Sequence, residues 1–341
     1  MPELRVFGIR PDDTTGFAFG AVLRWSLIVA MLGVAGCDLG ASSPANRPAA
    51  SQGGATNVSL LEARQGFESK LYPPSSAKEP VAEPPPEVFS KVFYETPAGL
   101  LAAYLTPDPK DGAKHPAIVW ITGGDCNSIG DVWSEAPSSN DQTAAAFRKA
   151  GIVMMFPSLR GGNDNPGIKE GFLGEVDDVG AAADYLAKQE YVDANRIYLG
   201  GHSTGGTLVL LVAECNPRFR AVFSFGPVAD VSVYPGEFLP FDTSNRREVE
   251  LRSPWQWLSS IKSPVFVIEG TVDSNVDSLQ AMARDSTNPQ VHFLEVQGAD
   301  HFSVLASACA VLAQKVANDN PNAGSLSISS QELTEAFAKS R

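Results

Sequence analysis

Short, almost purely apolar runs recur along the chain at 89–94, 100–105, 117–121, 152–156, 196–199, 221–225, 265–268 and 291–296. The first two flank Thr96-Pro97-Ala98-Gly99, a turn signal that predicts an antiparallel hairpin. The others show no polar alternation, which is the pattern of strands covered on both faces of a parallel sheet. Between them, apolar positions recur at helical spacing over 142–150, 178–188, 205–214, 275–284 and 302–317. Strand alternating with helix predicts an α/β fold, an eight-stranded, mostly parallel sheet with helices on both faces, over 88–317. The polar tail 318–341 is expected to hold one short helix at 331–339.

The pattern before residue 88 is different. Arg24 precedes the apolar run 25–34, which is too short for a comfortable membrane span. Val34-Ala35-Gly36-Cys37 follows, and small residues ending in cysteine resemble a bacterial lipobox. Residues 1–37 therefore read as a lipoprotein-type signal peptide, with Cys37 lipidated, and the expected location is the cell envelope, facing the periplasm. The polar leader 1–20 is long for such a signal, and a start near Val22 or Leu23 would be more typical. Residues 38–87 are rich in Ala, Ser, Pro, Gly and Gln, including Glu83-Pro84-Pro85-Pro86. Such a stretch buries too little apolar area to offset its ordering entropy and reads as a tether.

Composition narrows the function. A net charge of −13 without a Lys/Arg cluster disfavours a nucleic-acid surface. Cys37, Cys126, Cys215 and Cys309 lack C-x-x-C spacing, and the four histidines form no H-E-x-x-H, so neither a metal nor another cofactor is expected.

The chemistry-bearing segment runs from Arg196 to Gly206. Its Gly201-His202-Ser203-Thr204-Gly205 is G-x-S-x-G between a predicted strand and a predicted helix. A serine on that sharp turn needs small residues two positions to either side, and it stands at a helix N-terminus, where N–H groups favour an oxyanion. Ser203 is the expected nucleophile. Its base should be His301, in Gly298-Ala299-Asp300-His301 just after the last predicted strand. His292 lies within that strand, His115 precedes the third, and His202 is part of the elbow. Asp273 follows the penultimate strand and gives the chain order serine, acid, histidine of α/β-hydrolases. Asp230 and Asp300 are weaker choices, and Glu269 reads as the last residue of its strand. The oxyanion donors should be the Thr204 N–H and Gly124, with Gly123 or Asp125 as alternatives, in the loop Thr122-Gly123-Gly124-Asp125.

These motifs resemble the catalytic domain of the prolyl oligopeptidase family and its dienelactone-hydrolase-like relatives. The resemblance spans about 89–315 and rests on several segments: Thr122-Gly123-Gly124, where the family often has His-Gly-Gly; Ser158-Leu159-Arg160-Gly161-Gly162; Asp178 through Val192-Asp193; Ile261-Lys262-Ser263-Pro264; and Gly298-Ala299-Asp300-His301. It implies an α/β-hydrolase fold and acyl transfer. Family peptidases carry a β-propeller, whereas a short tether is what precedes the domain here. Asp177 and Asp178 read as helix caps, and 227–260 as a short aromatic cap. Arg160, Tyr234 and Trp257 are candidate substrate contacts. The expected substrate is a small ester, with a short peptide as the alternative; a catalytically inactive binding lipoprotein is the non-enzyme alternative. Beyond substrate, the expected partner is a membrane reached through the lipid on Cys37.

Overall fold

The predicted hairpin is β1 (Ser90–Thr96) and β2 (Gly99–Leu105), antiparallel and in register from Ser90 opposite Leu105 to Thr96 opposite Gly99. The computed structural model describes residues 58–72 and 78–341, so the signal peptide, Cys37 and the first part of the expected tether lie outside the described residues. The hairpin edges an eight-stranded sheet that continues through β3 (His115–Ile121), β4 (Val153–Pro157), β5 (Val192–His202), β6 (Val222–Phe225), β7 (Val265–Val272) and β8 (Val291–Asp300). The spatial order is β1-β2-β4-β3-β5-β6-β7-β8, and all pairings beyond the β2–β4 contact are parallel.

The apolar runs fill both faces, as their lack of alternation requires. Along β3, Ala117, Val119 and Ile121 join one core while Ile118 and Trp120 join the other. The first core is covered by α1 (Leu60–Arg64), α3 (Glu175–Ala187), α4 (Thr204–Cys215) and α6 (Val276–Asp285). The second is covered by α2 (Ala145–Lys149), α7 (Val304–Ala317) and α8 (Ser330–Lys339). The remaining helix, α5 (Arg246–Glu250), belongs to the 227–260 segment, which is otherwise built of short 3-10 turns.

Strand order reverses direction between β3 and β5, because β4 lies on one side of β3 and β5 on the other. Loops leaving two such strands part and open a crevice at their carboxyl ends, where ligands of open α/β sheets bind. The loop Thr122-Gly123-Gly124-Asp125 leaves β3 there, and Ser203 leaves β5.

Two expected boundaries are corrected. The domain starts well before residue 88. Ser59 and Glu62 form a reciprocal capping box on α1, Leu60 is fully buried, and α1 packs on α4. Arg64 then donates to the carbonyls of Phe172, Leu173 and Leu251, and Leu71 bridges to Phe241. Five residues of helix and one arginine anchor a stretch whose average composition looks unable to fold. The polar tail is likewise part of the domain. Leu333 and Phe337 of α8 are buried against the second core, and Asp319 accepts from Arg220 and Tyr198.

Candidate active site

Ser203 connects β5 to α4 with φ 56° and ψ −115°, a left-handed φ that is strained for a residue with a side chain. The turn holds because the backbones around it touch. A Cβ on Gly205 would lie 2.3 Å from the Ile121 carbonyl oxygen, and one on Gly201 would lie 2.6 Å from that of Gly205. The Ser203 N–H donates to Phe225 O at 2.8 Å, which fastens the elbow to β6. The spacing of the glycines is therefore a packing requirement of this turn.

His301 follows β8 directly. Asp300 accepts from the N–H groups of Phe302 and Ser303, and the Asp300 N–H donates to Ser303 Oγ. Asp300 is thus committed to shaping the turn. Burial works against its charge, but those donors hold its carboxyl below the usual range.

The acid paired with His301 is Glu269, which corrects the expectation of Asp273. His301 Nδ1 lies 2.9 Å from Glu269 Oε2, whose carboxylate is fully buried. A carboxylate only accepts, so Nδ1 carries the proton and Nε2 is left as the acceptor. The Gly270 N–H (2.8 Å) and the Asn275 N–H (3.1 Å) also donate to Glu269. Asp273 lies past the end of β7, with φ 43°, and is exposed. The β7–β8 register shifts between Gly270 and Val272, which puts Val272 opposite Asp300. The chain after that shift leads outward, while the earlier and longer Glu269 side chain reaches the ring from beneath. Asp230 is elsewhere, capping a 3-10 turn through the Ser232 N–H.

Thr204 is the first residue of α4, so its N–H has no place in the helical ladder. Its Oγ1 donates to Gly124 O at 2.9 Å, tying the elbow to the β3 loop. Within that loop the Gly123 N–H is taken by Gln142 Oε1 at 3.1 Å. Among the described residues, no hydrogen bond engages the N–H of Gly124 or Asp125. The Asp125 carboxylate accepts from Ser128 Oγ and from Lys169 Nζ at 2.7 Å.

The substrate candidates divide. Arg160 is buried, with Nε and Nη2 both on Asp178 (2.9 and 2.8 Å) and Nη1 on Glu170. Burial pushes its pKa down, yet the two carboxylates raise it on balance. It is structural, and Asp178 is its partner rather than a helix cap. Trp257 is also buried, with Nε1–H on Glu250 O, and packs into the core. Tyr234 remains beside the site. Its hydroxyl meets Thr207 Oγ1, one turn along α4 from Ser203, and its ring stacks on Phe172 at 5.8 Å. Sequence reading had missed Glu269 as the acid, Gln142, and the exposed Phe302, whose ring packs edge-on against His301 at 5.0 Å. A carboxylate directly after the apolar run 265–268 was the available signal for the first of these.

Elbow, paired histidine and free amides at one sheet edge define a serine hydrolase of the α/β-hydrolase superfamily. More particularly, the sequence profile of the prolyl oligopeptidase family matches residues 138–307, and the domain resembles the catalytic domains of that family. A Bacillus subtilis protein described as an uncharacterized peptidase, YtmA, is 26% identical over 57% of this chain and 77% of its own. The human acylamino-acid-releasing enzyme is 28% identical over 59% of this chain, but that region is only 30% of the human enzyme. Among solved structures, a Mycobacterium tuberculosis puromycin-hydrolyzing peptidase shares the fold. It superposes with a TM-score of 0.55 at 20% identity, covering 68% of this chain and 39% of that one.

Proposed function

We propose that this chain is a serine peptidase acting on short peptides, in place of the carboxylic-ester hydrolase that the sequence first suggests. The observation that carries the chemistry is the Glu269–His301 pair beside the strained Ser203 elbow. His301 Nε2 takes the Ser203 proton as Oγ attacks the scissile carbonyl. The Thr204 and Gly124 N–H groups hold the oxyanion, and Glu269 stabilises the imidazolium. His301 then protonates the leaving amine, and water repeats the sequence to free the acid. The choice of amide over ester is supported by two relatives, one described as a peptidase and the other as an acylamino-acid-releasing enzyme.

The test is a comparison of kcat/KM for aminoacyl, dipeptidyl and N-acylaminoacyl anilides with that for acetyl through decanoyl aryl esters. Cleavage of at least one short peptide anilide is expected. Turnover of aryl esters with every anilide left intact would refute the peptidase and restore the esterase.

The enzyme is further proposed to be held at the cell envelope by lipid on Cys37, on the strength of Val34-Ala35-Gly36-Cys37. Cys37→Ser should move it from the membrane to the soluble fraction or leave an unprocessed precursor. A soluble, unmodified wild-type protein would refute the anchor.

A further inference from the structure

A continuous chain of hydrogen bonds runs beneath the site. The Gly123 N–H donates to Gln142 Oε1 at 3.1 Å, Gln142 Nε2 meets His202 Nδ1 at 2.7 Å, and His202 Nε2 meets the His301 carbonyl oxygen at 2.8 Å. One end is the neighbour of an oxyanion donor. The other is the backbone of the base. Neither Gln142 nor His202 hydrogen-bonds to Ser203 Oγ or to the ring nitrogens of His301.

We propose that Gln142 and His202 are positioning residues that lock the oxyanion loop and the His301 loop into one catalytic register. This rests on the assignment of Ser203 and His301 above.

Every proton in the chain is dictated by its ends. A carbonyl can only accept, so His202 Nε2 must carry hydrogen, and an amide N–H can only donate, so Oε1 of Gln142 must face Gly123. With Nε2 protonated, Nδ1 of a neutral His202 is an acceptor and receives the Gln142 NH2. No other arrangement satisfies all three contacts. His202 is completely buried, and its ring centroid lies 4.5 Å from that of His301. Burial first, and then the charge His301 gains as a base, push its pKa down to about 3. It therefore stays neutral while His301 takes a proton, and the chain keeps its direction through the cycle.

The packing leaves little slack. A Cβ on Gly123 would stand 2.9 Å from His202 Nδ1 and 3.1 Å from Ser203 Cβ, so the loop lies directly on the elbow. Because Gln142 occupies the Gly123 N–H, the next amide along is the one left to meet an oxyanion. Gln142 lies at the far end of the β3–α2 connection that begins with this loop, three residues before α2, so it folds that connection back onto its own start and onto His202. Buried networks that are fully satisfied in only one way make a site rigid, and removal of one member leaves the others unpaired.

The decisive experiment uses the full-length protein with Gln142→Met, which keeps length and apolar bulk but loses the hydrogen bonds to Gly123 and His202, together with a third from Nε2 to Asn140 Oδ1. Misplacement of catalytic groups costs rate rather than binding, so kcat and the rate of fluorophosphonate labelling should fall about 10- to 100-fold. KM should change by less than about twofold. Gln142→Glu can hold Gly123 with one oxygen and a doubly protonated His202 with the other, and it should recover part of the lost kcat. A second variant, His202→Phe, guards against a local packing artefact. If the chain acts as a unit, Gln142→Met/His202→Phe should lose no more than the worse single variant. Labelling and kcat of Gln142→Met within about twofold of wild type would overturn the proposal, as would full additivity of the two losses. A wild type that resists the probe would instead overturn the underlying assignment of Ser203.

Discussion

Glu269 and His301, 32 residues apart in sequence, meet at 2.9 Å across the β7–β8 edge with the carboxylate fully buried. The pairing makes the glutamate within β7, and not the aspartate of the following turn, the group that orients the base. Glu269→Gln should fold and lose about 10²- to 10⁴-fold in kcat, since an amide permits the wrong tautomer and cannot stabilise an imidazolium. Asp273→Asn should stay within about threefold of wild type, as expected for a surface change away from the site. Steady-state kinetics of the two variants decide this, and the opposite ranking would return the role to Asp273.

Ser203→Ala should abolish fluorophosphonate labelling and lower kcat by about 10⁴-fold or more. The smaller side chain still occupies φ 56°, so the melting temperature should barely change. Ser203→Gly removes the Cβ that makes this φ costly and should melt slightly higher than Ser203→Ala. Differential scanning calorimetry of the two separates strain from chemistry.

Arg160 bridges Asp178 and Glu170, and Asp178 has no exposed surface. Arg160→Met would leave that carboxylate buried without its cation, a loss of about 3–5 kcal/mol. Chemical denaturation should show the loss, while the remaining folded enzyme keeps its KM. A large rise in KM with unchanged stability would make Arg160 a substrate contact after all.

Glu214, on the inner side of α4, is buried, and neither of its oxygens has a hydrogen-bond partner. Burial raises its pKa well above the ordinary 4.5, with Arg64 opposing the shift only in part. The folded state then holds this proton more tightly than the unfolded chain, so stability falls as pH rises above about 4.5. Glu175 shifts in the same direction, mainly by burial, and adds to the slope. Glu214→Gln should flatten part of that decline and be more stable than wild type above neutrality. Urea titrations between pH 5 and about 8 test it, and an unchanged slope would refute it.

What the sequence disclosed was what is local. Gly201 to Gly205 announce the elbow because their spacing is a steric condition of one turn, and the apolar runs announce strands because both faces of the sheet are covered. The partner of His301 was hidden, because Glu269 lies in β7 and Asp273 just past its end, with only the register shift after Gly270 between them. Gln142 carried no sign at all, since its role exists only once the segments that follow β3, β5 and β8 meet at one end of the sheet. The docking of 58–72 was masked by composition, because one capping box and one arginine count for little in an average over fifty residues.

That docked segment also sets an order of events. Leu60 bonds to Ser260, 200 residues away, Arg64 to Leu251 across 187, and Ser69 to Glu248 across 179. Contacts this distant in sequence form slowly, because a long loop must close before they are rewarded. The stretch a ribosome makes early must therefore wait until residues beyond 260 have emerged before it can settle on α4 and fasten the 227–260 segment beside the cleft. Pulse-labelled hydrogen exchange should find the amides of α1 among the last to gain protection, and early protection there would contradict this order. A nascent chain would then hold a finished serine elbow well before the wall of its cleft is fixed, and competence for catalysis would arrive only near the end of synthesis.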